Sequence, residues 1–473
     1  MSIAVHPPPL LTPPARKRRR KRWIALALAV IALGAAFSLV AYFYSTDERD
    51  LAEVLAETDR LDPEWRWQNI VSRRAEIADA DNASLQVIKA HRISGKVYDK
   101  FRKHFPPDGD PNLQGLAAAA PLPADQIAAL RGLMADCPEA RIEARKLRQL
   151  PKGRMPTKYT ADVISTLIEP AQLAREVCAF LQCDAALRTH DHDFDGAVES
   201  CHAMLNAARS VGDEPFLICL LVRTACIQLM VDALERTLPQ GEAREETLAQ
   251  LQKALEQEMD EPTLLVALRG ERGGHYELLE LIRAGKVRPS YIAAMTGQRQ
   301  NAYTRFMQDF LPVRASINRP AYLRMMNEMV EAAKLPLEKQ PAEFERIQTA
   351  WKDKVTDLVG GPPFMDVTPA AFFRAQAVMR CTVAALAAER YRLRRGAWPG
   401  SLDVLVQEGL LAKVPLDPFD GQPLRYKSSD EGRVIYSVGP DRTDNGGIIN
   451  RREVSAPGVD FGFRLRDARN GIR

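Results

Sequence analysis

The stretch HDFDGAVESCHAMLNAARSVGDEP (192–215), followed by FLICLLVRTACIQLMVDAL (216–234), decides the fold of the long middle region. Apolar residues recur at helical spacing in both parts, and the GDEP turn separates them, which predicts two consecutive helices. Polar residues of the second part share one helical stripe: Thr224, Gln228, Asp232 and Glu235. Arg223 lies off this stripe, where it can pair with a carboxylate in a protein core but would be costly in lipid. We therefore predict a core helix, with a membrane-spanning helix as the competing interpretation.

The first of these helices resembles the start of a tetratricopeptide-type hairpin. Gly196 and Ala197 form a small pair near its beginning, and the polar turn closes it. No second copy recurs at the fixed period of such repeats, so a regular solenoid is not predicted. Helical periodicity interrupted by Pro and Gly continues over residues 45–360. We predict an irregular, tetratricopeptide-like α-helical domain there.

A membrane anchor is predicted near the N-terminus. The uncharged run WIALALAVIALGAAFSLVAYFY occupies residues 23–44. As a helix it spans about 33 Å, and a hydrocarbon core is about 30 Å thick. The basic block RKRRRKR immediately before it places the tail 1–22 in the cytoplasm and the bulk of the chain outside it, in the periplasm. A cleaved signal peptide is the alternative, although the run is long for one and no small-residue cleavage site follows it.

The charge distribution limits the partners. The net charge is +4, but the basic residues of 16–22 contribute +7, so the rest of the chain carries −3. A nucleic-acid surface needs a basic face, so no nucleic-acid partner is predicted. No motif indicates a small-molecule substrate or a catalytic residue. The predicted partners are membrane lipid, through the N-terminal helix, and other proteins.

One segment has the composition of a metal site. His190 and His192 lie among acids in THDHDFD (189–195), and both residue types are suitable zinc ligands. A metal-dependent hydrolase in the helical domain is therefore the alternative function. The competing interpretation is that Asp193 or Asp195 caps the following helix, which needs no metal. A second histidine, His275 in RGGHYELLE, is predicted to mark a helix start after a Gly-rich break.

Cysteine usage gives a further expectation. The chain has seven cysteines and no C-x-x-C motif. Most lie on apolar helical stretches, where cysteine acts as a small buried hydrophobe. We predict buried thiols, and an extracytoplasmic location leaves one or two disulfides open without assigning them.

Residues 361–473 begin within a Gly- and Pro-rich segment, GGPPFMDVTP (360–369), and have a different pattern. We predict a long helix that begins with Thr368 as N-cap and Pro369 in the first turn and ends at Gly396. A short helix and three short strands follow. The strands are LRYKS (424–428), RVIYSVG (433–439) and FGFRL (461–465). The prediction is a small α+β module with an antiparallel sheet.

This module contains a recognisable motif set within ERYRLRRGAWPGSLDVLVQEGLLAKVPLDPFDGQPLRYKSSDEGRVIYSVGPDRTDNGG (389–447). It resembles the C-terminal domain of the major pseudopilin of type II secretion. That family has a helix ending in Y-x-x-x-x-G-x-W/Y-P, a second helix, a D-P-W/F-G turn and a Y-S-x-G-x-D loop. The matching residues are Tyr391, Gly396, Trp398, Pro399, Leu416, Asp417, Pro418, Phe419, Tyr436, Ser437, Gly439 and Asp441.

The resemblance implies calcium as a cofactor, because the last loop of that family binds Ca²⁺. Asp441 matches the first acid of the loop, Asp460 is placed to match the second, and Asp444 is a nearby acid. Calcium takes six to eight oxygen ligands, which these acids and the carbonyls around Val438 and Gly439 would supply. A polar turn that holds no ion is the competing interpretation.

Two departures from the family argue against polymerisation as a pilus. A pseudopilin is cut after a Gly before its membrane helix and carries a Glu near the start of that helix. Here a basic block precedes residues 23–44, which contain no acid. The layout is similar to that of membrane-anchored helical proteins of bacteria. We therefore expect a non-enzymatic interaction or assembly protein of the envelope, linked to machinery like that of type II secretion.

Overall fold

The computed structural model describes residues 34, 48–104, 122–291, 301, 305, 319–351, 363–429, 432–451, 453 and 456–466. This part of the chain is mainly helical and ends in a small antiparallel sheet, as predicted. The predicted tail 1–22 and, apart from Gly34, the predicted membrane helix 23–44 lie outside the described residues.

The helices follow one another in chain order as α1 (48–61), α2 (Trp67–Ser72), α3 (Ala83–His104), α4 (Ala124–Ala135), α5 (Pro138–Arg145), α6 (Glu169–His190), α7 (Phe194–Arg209), α8 (Leu217–Thr237), α9 (Glu245–Met259), α10 (Thr263–Arg283), α11 (Arg319–Ala332), α12 (Gln340–Trp351), α13 (Pro363–Arg395) and α14 (Leu402–Gln407). Short 3₁₀ turns are formed by Asp79–Asp81, Lys146–Gln149, Leu238–Gln240 and Leu337–Lys339. The strands are β1 (Arg425–Ser429), β2 (Gly432–Ser437) and β3 (Phe461–Arg466).

Helices α6, α7 and α8 pack against one another and form the centre of the helical part. Small residues of α7, such as Ala203 and Ala207, are fully buried and let the neighbouring helices approach closely. The two helices predicted for 192–234 are therefore confirmed. Arg223 of α8 is buried and forms an ion pair with Glu258 at 2.7 Å, so the pairing expected for a core helix is present.

Among the described residues, two segments are long and apolar enough to cross a membrane by length and composition. They are Leu217–Gln240 and Val367–Arg395, and 61% and 78% of their most apolar windows lie inside the protein. The first contains α8 and the second most of α13. Both helices contribute to the main apolar core, so their hydrophobicity is accounted for by packing within the protein.

Helix α13 lies between the helical part and the sheet. It packs on α8 and α9, and it also contacts β2 and β3. Near its middle, Cys381 is fully buried and its thiol donates to the Phe461 carbonyl of β3 at 3.7 Å. Near its end, Arg390 donates to Gln252 of α9 at 2.9 Å. One apolar core thus continues from the helices into the sheet.

The sheet has the order β1-β2-β3 with antiparallel pairing throughout. Tyr426 lies opposite Ile435, and Ile435 lies opposite Phe463. Ile435 and Phe463 are fully buried against the core, whereas Lys427 is exposed, as expected for a sheet covered on one face. The predicted strands are confirmed. Alternating apolar residues bounded by turn residues were sufficient to locate them in the sequence.

The predicted start of α13 at Thr368 is wrong. The helix already includes Pro363, and Pro369 lies inside it. The Thr368 hydroxyl is buried and has no hydrogen-bond partner among the described residues, so it does not cap a helix. The C-terminal end is as predicted, because α13 stops at Arg395 and Gly396 has a φ of +70°.

The helix start predicted at His275 is also wrong, because α10 runs through the Gly-rich segment without a break. Gly273 is needed for close packing rather than for a turn. A Cβ at this position would lie 2.5 Å from the carbonyl oxygen of Trp65. His275 itself stacks on Tyr322 of α11 with ring centroids 4.3 Å apart.

Helix α1, which follows the predicted anchor, is attached to the body through buried polar groups. Arg269 donates to both oxygens of Asp62 at 2.7 and 2.8 Å, and the fully buried Arg272 also pairs with Asp62. Asn327 of α11 accepts from Arg272 at 3.0 Å and donates to Thr58 of α1 at 2.8 Å. These bonds hold α1 on α10 and α11.

Candidate functional site

The three acids predicted to bind calcium lie on the long connection between β2 and β3. Asp460 directly precedes β3 and is fully buried. Its carboxylate accepts from the backbone N–H of Gly447 at 2.7 Å and of Asn445 at 3.4 Å. Burial raises the pKa of Asp460, and the nearby negative charge of Asp444 also acts to raise it. Asp460 therefore holds the connection in place.

The other two acids are closer to solvent. Asp444 accepts from the Tyr436 hydroxyl at 2.9 Å and from the Gly446 N–H at 2.8 Å. Asp441 accepts from the Thr443 N–H at 3.1 Å, and the Asn445 side chain donates to it at 3.5 Å. Asn445 thus contacts Asp441 with its side chain and Asp460 with its backbone.

The chemistry of these donors suits calcium, but the ion remains a prediction. Carboxylates on a connection with several glycines are the ligands that Ca²⁺ prefers. In the structure, their oxygens accept backbone and side-chain hydrogen bonds from the same connection. Among the described residues, no group of three or more His, Cys, Asp or Glu side chains is arranged to hold a metal ion.

Asp417, one of the residues matching the pseudopilin pattern, joins the turn after α14 to the sheet. It is fully buried and accepts from the N–H groups of Phe419 at 2.9 Å and Val438 at 2.8 Å. The Ser437 hydroxyl and Arg425 also donate to it, each at 2.8 Å. Its position is explained by these bonds, which fix the end of β2 where the acidic connection begins.

The segment 189–195 joins the end of α6 to the start of α7 and supplies the cap of α7. The Asp193 carboxylate accepts from the Gly196 N–H at 3.0 Å and so caps α7, as one of the two interpretations predicted. Asp195 bonds to Arg244 at 2.7 Å and to Thr247 at 2.9 Å. His192 packs edge-on against the Phe194 ring, with centroids 5.8 Å apart. The acids that a hydrolase would need beside the histidines are engaged in these structural bonds.

A groove that the sequence did not indicate lies on the helical part and has a volume of about 770 Å³. Its walls include three separate segments: the turn 211–214 after α7, residues 260–263 at the start of α10, and the extended residues 151–153. A Cβ on Gly153 would overlap the backbone of Ser210, so the extended segment can lie directly on the first turn. The volume of the groove is within the range of known ligand pockets.

Arg209 and Arg223 line the groove and belong to a buried ion cluster beneath it. Glu258 accepts from Arg223 through both carboxylate oxygens at 2.7 Å and from Arg209 at 3.0 Å. Burial acts to raise the pKa of Glu258, but the two guanidinium groups outweigh it and lower the pKa. The carboxylate is therefore ionised and holds α7, α8 and α9 together.

The turn 211–214 carries another buried ion pair. Arg74 is 2.7 Å from Asp213 and 2.6 Å from Glu214, and its side chain is 3% exposed. Glu214 also accepts from the Tyr159 hydroxyl at 2.9 Å. Burial raises the pKa of Glu214, and Arg74 and Tyr159 oppose that rise. Asp213 remains 43% exposed, so its negative charge faces the groove.

The rim of the groove has an acidic excess. Asp213, Asp260 and Glu261 line it and are accessible, whereas Lys152 is the exposed basic residue among the lining side chains.

No protein-family model, no curated protein and no solved structure matches this chain. The groove is assembled from segments far apart in the chain, and Gly153 is the local sequence signal that could have indicated it.

Proposed function

We propose that this protein is a membrane-anchored interaction or assembly component of the bacterial envelope that binds a segment of a partner protein in the groove between residues 151–153, 211–214 and 260–263. It acts without catalysis and is linked to machinery like that of type II secretion. The observation that carries the proposal is the groove, because a paired ion cluster lies beneath it and its rim is acidic and accessible.

The lining of the groove suits a peptide more than a small polar metabolite. Apolar contact is offered by Ile77, Val211, Pro262 and Val266. The ionic groups beneath the groove are already paired with one another, so they support the shape of the groove. The accessible acids at the rim favour a segment with Lys or Arg side chains, by charge complementarity.

The attachment of α1 supports a role next to the membrane. The predicted anchor ends at residue 44, and α1 is described from residue 48. Asp62, directly after α1, is bonded to Arg269 and Arg272 of α10. A partner bound to the body would therefore be held at a short distance from the bilayer.

The location is tested with a reporter enzyme that is active only outside the cytoplasm. It is fused after residue 473 of the full chain and, as a control, after residue 22. Activity of the first fusion alone is expected. Activity confined to the control fusion would overturn the topology and the envelope role.

Binding is tested with a photo-crosslinking amino acid at Gln257, which is exposed and lines the groove. The matched control carries it at Glu139, exposed on α5. A partner crosslinked only from Gln257 is identified by mass spectrometry, and its crosslinked segment is synthesised and titrated against the purified protein. We expect the Asp260→Lys, Glu261→Lys double variant to weaken binding about tenfold, equivalent to about 1.4 kcal/mol. Equal crosslinking from both positions, or unchanged affinity, would count against the groove.

A further inference from the structure

Three cysteines meet in the centre of the helical part. Cys178 of α6, Cys201 of α7 and Cys226 of α8 are all fully buried. The Cys178 sulfur lies 3.4 Å from the carbonyl oxygen of Cys226 and 3.9 Å from that of Met204. Burial raises the pKa of Cys178, and the thiols of Cys226 and Cys201 also act to raise it.

We propose that Cys178 and Cys226 form a disulfide in the exported protein. Their helices pack directly against each other, and the Cys178 sulfur contacts the backbone of Cys226 itself. Its contact with α7 is instead at Met204, three residues beyond Cys201. The inference rests on the proposed location outside the cytoplasm, because disulfides persist in oxidising compartments.

Two other thiols have contacts that direct them elsewhere. Cys137 donates to the Leu133 carbonyl of its own helix at 3.3 Å. Cys381 donates to the Phe461 carbonyl of β3 at 3.7 Å. Within the part of the chain that the structure describes, no cysteine cluster is arranged to hold a metal. In these bonds, neither Cys137 nor Cys381 contacts Cys178 or Cys226.

The bond forms by thiol–disulfide exchange. The two thiols lose two protons and two electrons, one S–S bond forms, and a small-molecule or protein disulfide is reduced to two thiols. Exchange needs an accessible thiolate, whereas both native thiols are buried. Oxidation therefore occurs during folding, before α6 and α8 close over the pair.

The test maps thiols in the full chain under two conditions. In the first, cells are quenched with acid, and the protein is denatured in the presence of N-ethylmaleimide, which alkylates free thiols. The alkylated cysteines are identified by mass spectrometry. We expect five of the seven cysteines to be alkylated and Cys178 and Cys226 to be recovered as one disulfide-linked peptide pair. In the second, the reduced and denatured chain is refolded in a mixture of reduced and oxidised glutathione and mapped in the same way.

The two conditions separate the disulfide from the location. The 178–226 bond after refolding, with all thiols free in cells, would support the pairing and overturn the envelope location. Seven alkylated cysteines after refolding, or a different linked pair, would overturn the disulfide. Cys201→Ala should retain the bond. Cys178→Ala should abolish the bond. A reducing agent should lower the melting temperature of the unsubstituted chain but not that of Cys178→Ala.

Discussion

The ion cluster beneath the groove allows a quantitative prediction for Glu258→Ala. The substitution leaves Arg209 and Arg223 charged, with side chains that are 7% and 8% exposed. Removing one partner of a buried ion pair costs about 3–5 kcal/mol. Two pairs are lost here, but Arg223 keeps a bond to the Gly212 carbonyl at 3.0 Å and Arg209 keeps one to the Ala254 carbonyl. We expect the free energy of unfolding to fall by about 4 kcal/mol, a large fraction of typical protein stability.

The assay is urea denaturation followed by circular dichroism at neutral pH. Glu246→Ala is the matched control, because Glu246 is exposed on the same helix and should change stability by less than about 0.5 kcal/mol. The pKa of Glu258 is lowered on folding, so its contribution is present at neutral pH and is lost as the pH falls through the folded-state pKa. The difference in unfolding free energy between the unsubstituted protein and Glu258→Ala should therefore narrow on acidification. A loss below about 1 kcal/mol at neutral pH would refute this reasoning.

Gly273→Ala should destabilise the protein by about 1–3 kcal/mol, measured by urea denaturation, because the new Cβ would meet the backbone of Trp65. Gly132→Ala on α4 meets no atom within 4 Å and should be neutral or stabilising by up to about 1 kcal/mol, and a reversed order would contradict the packing assigned to α10. Asp193→Ala should lower the unfolding free energy by about 1 kcal/mol through loss of the α7 cap, whereas Asp193→Asn should largely preserve it. Millimolar calcium should raise the melting temperature of the full chain, and Asp441→Asn should reduce that rise; an unchanged melting temperature would count against calcium binding.

Local signals were sufficient to predict several elements. The α7 cap followed from an acid before an apolar helical pattern, and the strands followed from alternation bounded by turn residues. Gly396 ended α13 because a left-handed residue stops a helix. The pairing of Arg223 was expected because a charge in an apolar helix needs a partner, although the sequence did not identify Glu258 as that partner.

Tertiary packing explains what the sequence did not reveal. Gly273 looked like a helix breaker but makes room for the backbone of Trp65, more than two hundred residues earlier in the chain. The polar stripe of α8 is also more than a solvent-exposed face, because Glu235 accepts from Arg451 at 2.9 Å and from the Arg464 N–H at 2.8 Å. The groove could not be predicted because its three segments come together only after folding. The calcium assignment stays a prediction that rests on resemblance.

The position of α13 has a consequence for how the protein can be divided. Its residues serve two neighbours at once, with α8 and α9 on one side and the strands on the other. Separating residues 361–473 from the rest of the chain would remove α8 and α9 from α13 and expose apolar side chains of α13 to water. We expect such a fragment to aggregate or self-associate. The C-terminal module therefore needs the helical part of the chain in order to remain soluble.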